Sequence, residues 1–190
     1  KDLLKNKKLN AIVTTGPTKE YIDPVRFISN ESSGKQGYEI ALELSRMGIK
    51  TTLISGPTKL TYSSDIKVKK VISGNEMLAA VKKKLPIHIA VCVAAVSDFK
   101  PVSIKKNKIK KDVGLDQIKI EKNVDILDYL GKNNRYRPKL LVGFAAETDN
   151  IIKNSLKKMQ EKFCDMIIAN DVSKKDTGFN SDLNEVTIID

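Results

Sequence analysis

The chain has 190 residues, of which 41% are hydrophobic, and its 34 basic and 23 acidic side chains give a formal net charge of +11. That length allows one domain that buries about 70% of its unfolded surface. No apolar run is long enough for a membrane span, and the N-terminus lacks the apolar segment of a signal peptide, so neither is expected. Only four basic residues are arginine and tryptophan is absent. This composition disfavours a nucleic-acid platform but leaves anionic small ligands open.

Strand and helix patterns alternate along the chain. Apolar or alternating runs predict strands at 9–15, 50–55, 66–72, 87–96, 139–144, 165–170 and 184–190. Helical spacing predicts helices at 33–47, 75–85, 124–132 and 150–163, with Asn75 as one N-cap. The pattern indicates one domain over 1–190, with an α/β, Rossmann-like, mostly parallel sheet and helices on both faces.

Residues 100–114, which we call the flap, differ from the rest of the chain. Five lysines lie between Lys105 and Lys111, and few apolar side chains accompany them. Such a segment has little to bury, so we expect a mobile surface loop.

The chemistry is expected in the loops that follow the strands, because ligands of open α/β sheets bind at the carboxyl ends of the strands. The first such loop starts at Gly16 and contains the stretch DPVRFISNESSGKQG, residues 23–37. Its end, at Ser32, Ser33 and Gly34, precedes a helix, whose N-terminus would attract an anion. A serine that merely caps the helix is the alternative for those two serines, but it does not explain Arg26 and Asn30.

Two familiar nucleotide motifs are incomplete here. Gly34-Lys35 resembles the end of a P-loop, but Gln36 stands where Ser or Thr is needed. The first strand is followed by Gly-Pro-Thr in place of G-x-G-x-x-G, and no acidic residue ends the second strand. These departures disfavour an NAD enzyme.

The inventory of nucleophiles and metal ligands is small. Cys92 and Cys164 lie in apolar runs, which predicts buried, reduced thiols and a cytoplasmic protein. His88 is expected to be structural. No zinc spacing or Cys–His pair can be assembled.

Several blocks together resemble phosphopantothenoylcysteine synthetase, the phosphopantothenate–cysteine ligase of coenzyme A biosynthesis. They are TTGPTKEYIDPVRFISNESSGKQGYEIA, VAAVSDFKP, KNKIKK, VGFAAETDN and ANDVSKKDTGFNSDLNEV, in this order. The likeness covers about Leu9 to Asp190. It implies that 4′-phosphopantothenate, L-cysteine and CTP react through an acyl-cytidylate, with Mg²⁺ as cofactor and no metal ligands identified.

The resemblance also implies roles for individual residues. Catalytic roles fall on Asn30, which would contact the acyl group, and on Lys108, which would reach the triphosphate from the flap. The implied nucleotide-binding set is Ser32, Ser33, Gly34, Ala94, Ala95, Asp98, Lys108, Val124, Asp125, Ile126, Leu127, Phe144, Lys158 and Lys162. The implied substrate-binding set is Gly16, Thr18, Arg26 and Asn30. Ser97 and Val124 depart from the family's usual alanine and proline, which makes the choice of nucleotide less certain than the reaction.

Partners follow from the same resemblance. The family works as a homodimer, and in most bacteria a flavin-dependent decarboxylase is fused to this domain, so a fused or separate decarboxylase is expected. Neither nucleic acid nor membrane is expected as a partner. An NAD(P)-dependent reductase on a similar sheet is the main alternative, although its fingerprint and its Tyr-x-x-x-Lys pair are not found.

Overall fold

The computed structural model describes residues 9–110, 117–133, 135–147, 149–171 and 184–190. Its strands are β1 (Asn10–Thr15), β2 (Glu20–Tyr21), β3 (Phe27–Ile28), β4 (Lys50–Ser55), β5 (Lys67–Lys70), β6 (Ile89–Cys92), β7 (Phe99–Pro101), β8 (Ile120–Lys122), β9 (Leu140–Glu147), β10 (Met166–Asp171) and β11 (Val186–Ile189). Its helices are α1 (Lys35–Arg46), α2 (Gly74–Lys82), α3 (Ile126–Gly131) and α4 (Ile151–Lys162). None of these helices is long and apolar enough to cross a membrane.

Seven strands form one sheet in the order β11-β10-β9-β6-β1-β4-β5. Every pair in it is parallel except β10 with β11. In the centre, Ala11 of β1 stands opposite Thr51 on one side and Ile89 on the other. The predicted α/β, mostly parallel fold is confirmed. Because β4 and β6 flank β1 on opposite sides, the strand order reverses at β1.

The core lies on both faces of this sheet because successive side chains of a strand point to opposite faces. Ile12 faces a cluster closed by Met77 of α2 and Leu130 of α3. The next residue, Val13, faces the other cluster, with Ala41 of α1. These side chains are all buried, with Ile12 1% exposed and the other four fully enclosed. Helices therefore cover both faces, as the sequence predicts.

Several sequence boundaries are corrected by local hydrogen bonds. Ser73, and not Asn75, is the N-cap of α2, because its side chain accepts from the Glu76 N–H. The strand predicted at 87–96 ends at Cys92. Beyond it only an isolated bridge joins Ala95 to Pro17, and proline has no N–H with which to extend a ladder.

Two short antiparallel ribbons were not predicted at all. One pairs β2 with β3, and the other pairs β7 with β8. Strands of two or three residues are too short for an alternating pattern to be recognised. Lys100 and Pro101, placed in the flap by the sequence, thus belong to strand β7. The remaining flap is exposed or half-buried from 102 to 110, and residues 111–114 lie outside the described ranges. Within it, Lys105 and Ile109 are hydrogen-bonded to residues 22–26, and the mobility expected for the flap stays a prediction.

Candidate functional site

A cleft of about 1130 Å³ opens at the carboxyl edge of the sheet, above the point where the strand order reverses. Its walls come from the ends of β1, β6 and β9 and from the first turn of α1. Ligands of open α/β sheets bind at this kind of position. The cleft is therefore the leading candidate for a substrate site.

Gly34 lies in the cleft wall and sets where α1 begins. It is the N-cap residue, with φ +78°, and as a glycine it has no side chain that could cap the helix. A Cβ built on Gly34 would lie 2.7 Å from Thr58 Cγ2 and 3.3 Å from Gly16 Cα. Only glycine suits this conformation and this spacing. The first turn of α1 thus reaches the cleft from a glycine N-cap, and a helix N-terminus attracts anions.

Ser32 and Ser33 also line the cleft. The N-cap position belongs to Gly34, but Ser33 Oγ accepts from the Lys35 N–H at 3.4 Å, so the alternative of a capping serine stays open for Ser33. Gly16 stands behind them and does not line the cleft. Its carbonyl accepts from the Ala95 N–H at 3.0 Å, so Gly16 holds the loop after β6.

Asn30 projects from an exposed part of the same loop into the cleft. Its Nδ2 donates to the Val96 carbonyl at 3.2 Å, and the neighbouring Ser29 hydroxyl donates to the Thr18 carbonyl at 2.7 Å. Thr18 itself is fully buried, and its Oγ1 accepts from the Ser97 N–H. The Thr18 carbonyl therefore holds the loop beside Asn30, and the Thr18 side chain holds Ser97. Thr18 itself does not line the cleft.

The opposite wall consists of two loops clamped together. Asn123 donates from Nδ2 to the Ser97 carbonyl at 2.9 Å, and its N–H donates to the Asp98 carbonyl at 2.8 Å. The wall includes the predicted residues Ala94, Ala95, Asp98, Val124, Asp125, Ile126, Leu127 and Phe144. Most of these side chains are apolar, so backbone groups supply much of its polarity.

The two lysines of α4 are placed differently. Lys158 lines the cleft, and its Nζ donates to the Phe144 carbonyl at 2.9 Å. Lys162 is not among the lining residues and pairs with Asp125 at 2.9 Å and Asp128 at 3.3 Å. The hydrogen bond to Asp125 raises the pKa of Lys162 above its usual value. Burial acts to raise the pKa of Asp128, but hydrogen bonds from Lys132 and Lys162 outweigh it, and the net pKa is lowered.

Arg26 and Lys108 also lie outside the cleft lining. Arg26 Nε is 3.6 Å from Asp23 Oδ2, and its Nη2 donates to the Ile109 carbonyl at 2.8 Å. Lys108 is exposed on the flap, next to that residue. The structure therefore brings Arg26 to the flap, and it leaves the roles implied for both residues as predictions.

Three amide side chains that line the cleft are joined by hydrogen bonds, a group that the sequence pattern does not predict. Asn170 Nδ2 donates to Gln36 Oε1, and Asn184 Nδ2 donates to Asn170 Oδ1, each at 3.3 Å. All three residues line the cleft. The one sequence signal was the place of Asn170 at the end of a strand.

The cleft offers no evident nucleophile or metal cage within the described ranges. Burial raises the pKa of the Cys92 thiol, which lines the cleft, to about 12. Both cysteines are free thiols. No group of three or more His, Cys, Asp or Glu residues in the described part of the chain could hold a metal ion. The residues that the structure describes thus do not form a metal site by themselves, and Mg²⁺ stays a prediction.

Known proteins share both the sequence and the fold. The family described as DNA/pantothenate metabolism flavoprotein C-terminal domain matches residues 5–190. The chain is 42% identical over 180 residues to the coenzyme A biosynthesis bifunctional protein CoaBC of Vibrio parahaemolyticus, covering 93% of this chain and 45% of that protein. It therefore spans under half the length of that relative.

Two solved structures have a similar fold. The crystal structure of the C-terminal domain of CoaBC superposes with a TM-score of 0.76 at 36% identity, covering 97% of this chain and 87% of that one. A mutant of Cab2 in complex with phosphopantothenate-cysteine gives a TM-score of 0.75 at 17% identity, covering 96% and 76%. At that identity the second likeness concerns the fold alone.

Proposed function

The chain belongs to the family of DNA/pantothenate metabolism flavoprotein C-terminal domains, and from this premise we propose that it is a phosphopantothenate–cysteine ligase of coenzyme A biosynthesis. The observation that carries the proposal is the cleft at the strand-order reversal, which Asn30 and the first turn of α1 both line. The likeness to the CoaBC C-terminal domain supports it, as does the 42% identity to CoaBC of Vibrio parahaemolyticus.

The proposed reaction has two steps. A carboxylate oxygen of 4′-phosphopantothenate attacks the α-phosphorus of CTP, the bond to the β-phosphate oxygen breaks, and pyrophosphate leaves with the acyl-cytidylate formed. The cysteine amine then attacks the acyl carbon, CMP leaves, and the nitrogen loses a proton. Neither step needs a nucleophile from the protein, in keeping with the raised pKa of Cys92.

The chain would act mainly by positioning and by electrostatics. Asn30 can donate to the acyl oxygen without adding a negative charge to a site that gathers three anionic groups. Ser32, Ser33 and Gly34 stand at the helix end that would meet a phosphate. Lys158 adds a cation within the cleft wall. A lysine ammonium about 4 Å from a phosphate oxygen is attracted by about 4 kcal/mol at an effective dielectric constant of about 20.

Lys108 is proposed to reach the triphosphate from the flap and to offset charge on the leaving pyrophosphate. Removing one such cation typically slows catalysis by about 10² to 10³. Lys108→Ala should therefore slow pyrophosphate release by that order, measured in a single turnover at fixed salt. Lys105→Ala is the matched control, and it should cost less than about tenfold because an exposed charge acts through a screened field. Equal losses would assign the effect to a diffuse basic patch.

The cytosine base is proposed to be read by backbone groups of residues 94–98 and 124–127. Apolar side chains dominate there, and Asn123 holds the two segments together. A preference of at least about tenfold in kcat/KM for CTP over ATP corresponds to about 1.4 kcal/mol. The test compares CTP, ATP, GTP and UTP with phosphopantothenate and cysteine, following both pyrophosphate and the amide product. Absence of product with every nucleotide overturns the ligase, whereas equal use of ATP overturns only the base preference.

A homodimer is also proposed, and the two ribbons support it. The ribbons and the residues next to them carry exposed apolar side chains: Phe27, Phe99 and Ile120 in the strands, and Val25, Val102, Ile104 and Ile118 beside them. The β2 strand contacts β7, so the ribbons adjoin. Sedimentation of the purified chain across a concentration series tests the dimer, and a monomer at every concentration contradicts it. A fused or separate decarboxylase partner and a cytoplasmic location stay predictions.

A further inference from the structure

Asp23 is a fully buried carboxylate in the turn between β2 and β3. Its Oδ1 accepts from the N–H groups of Val25 and Arg26, each at 2.9 Å. Those two bonds close the turn locally, as an Asx-type turn does. Oδ1 therefore accounts for the closing of the turn, and the role of Oδ2 has to be sought elsewhere in the chain.

The second oxygen faces the flap. Oδ2 accepts from the Ile109 N–H at 3.2 Å, across 86 positions of sequence, and it lies 3.6 Å from Arg26 Nε. Burial acts to raise the pKa of Asp23, but the hydrogen bonds from Val25, Ile109 and Arg26 and the Arg26 charge outweigh it, so the pKa is lowered. A buried charge is stable only when it is paired and hydrogen-bonded, and here the flap supplies part of that pairing.

Both backbone groups of Ile109 are taken by this turn. Its N–H bonds to Asp23, and its carbonyl accepts from Arg26 Nη2 at 2.8 Å. A second anchor lies four residues earlier, where the Lys105 N–H donates to the Ile22 carbonyl at 2.9 Å. Lys108 therefore lies between two anchored residues, Lys105 and Ile109, and it immediately precedes Ile109 in the chain. The same turn continues through β3 to Asn30 in the cleft.

Resting on the proposed ligase reaction, we propose that Asp23 is a positioning residue that fixes flap residues 105–109 to the Asn30 loop and thereby presents Lys108 at one place relative to the cleft. Asp23 is itself outside the cleft lining and touches no reacting atom. Its action passes through the Ile109 N–H. Removing the Asp23 carboxylate is therefore expected to reduce the rate only by the amount that Lys108 contributes to it.

Asp23→Asn tests the role of one oxygen at a time, because it keeps one oxygen and replaces the other with an NH₂ group. Asparagine keeps one acceptor, which can serve Val25 and Arg26, and places an NH₂ donor against the Ile109 N–H. The turn is retained and the Asp23–Ile109 hydrogen bond is broken, while the bonds from Arg26 to the Ile109 carbonyl and from Lys105 to Ile22 remain. The matched control is Asp65→Asn, because Asp65 is exposed and its carboxylate accepts only locally, from Ser63 Oγ at 2.9 Å.

The first measurement is independent of activity. The initial rate of tryptic cleavage after Lys108 and Lys110, identified by mass spectrometry, should rise about tenfold or more in Asp23→Asn, because a lost hydrogen bond to a charged group frees the segment. Asp65→Asn should cleave at the wild-type rate. An unchanged rate in Asp23→Asn overturns the link, whatever the outcome for the ligase.

The second measurement is kinetic. Pyrophosphate release should slow about tenfold or more in Asp23→Asn, while the KM for phosphopantothenate stays within about twofold. In a Lys108→Ala background the same substitution should cost less than about twofold, since coupled residues are non-additive. Full additivity would show that Asp23 serves stability alone. If wild-type protein makes no product, the ligase proposal fails, and the cleavage assay still decides the link.

Should Asp23→Asn fail to fold, amide hydrogen exchange of the wild-type protein replaces the cleavage assay. The Ile109 amide should exchange at least about tenfold more slowly than the Lys108 amide, because its N–H is bonded to a buried carboxylate. Equal exchange at the two positions overturns the proposal.

Discussion

Replacing Gly34 by alanine tests whether the start of α1 depends on a residue without a side chain. Gly34 has φ +78°, which a residue with a Cβ adopts at a cost of roughly 1–2 kcal/mol. The new methyl group would also lie 2.7 Å from Thr58 Cγ2. Relieving such overpacking typically costs about 1–3 kcal/mol. Gly34→Ala should therefore lower the free energy of unfolding by about 2–5 kcal/mol.

Gly48→Ala provides the matched control. Gly48 has φ +80°, nearly the same backbone conformation, but a Cβ there would meet nothing within 4 Å. Its cost should be the conformational part alone, roughly 1–2 kcal/mol. Urea unfolding followed by circular dichroism measures both variants, and their difference isolates the collision with Thr58.

A double-mutant cycle identifies the colliding atom. Thr58→Ser removes Cγ2 and keeps the hydroxyl that lies 2.7 Å from the Tyr62 OH. In the Gly34→Ala background this substitution should restore about 1 kcal/mol or more, whereas in the wild type it should destabilise. If Gly34→Ala costs no more than Gly48→Ala, or if Thr58→Ser restores nothing, the close approach is not what requires glycine at the start of α1.

Four further predictions concern the cleft and the neighbouring Lys162. Asn30→Asp should leave the unfolding free energy within about 0.5 kcal/mol, because the residue is exposed, yet slow single-turnover pyrophosphate release about a hundredfold by placing an anion beside the acyl phosphate; a wild-type rate contradicts this role. Lys158→Met should raise the KM for CTP more than Lys162→Met, and equal effects would oppose the assignment. Lys162→Met should instead lower the free energy of unfolding by up to about 1 kcal/mol at pH 7. The pKa of Asp128 is lowered from its ordinary value of 3.8, so this loss should fade as the pH falls below that value and Asp128 becomes protonated. Since the pKa of Cys92 is about 12, iodoacetamide at pH 8 should label it roughly a thousandfold more slowly than an ordinary thiol; labelling at the rate of the urea-unfolded chain would contradict this.

The pattern of strands and helices follows from local sequence. Residues 50–55 were predicted as a strand, and β4 has those bounds. Hydrophobic periodicity and glycine or proline at element ends are short-range signals, so they suffice for elements of six residues or more. The motif blocks likewise pointed to the family, and the carboxyl-end rule pointed to the loops that now form the cleft.

Only the tertiary structure decided which groups meet across the chain. The order of strands places β1 in the centre with β6 and β4 beside it, an arrangement set by burial of both sheet faces and not by local propensity. The same holds for ion pairs. Lys158 and Lys162 share one helical face and looked equivalent, but Lys162 is held by Asp125 and Lys158 is left at the cleft. The Asp23–Ile109 bond joins residues 86 apart. Such partners are selected by distance and burial in the folded chain, quantities that no local window of sequence contains.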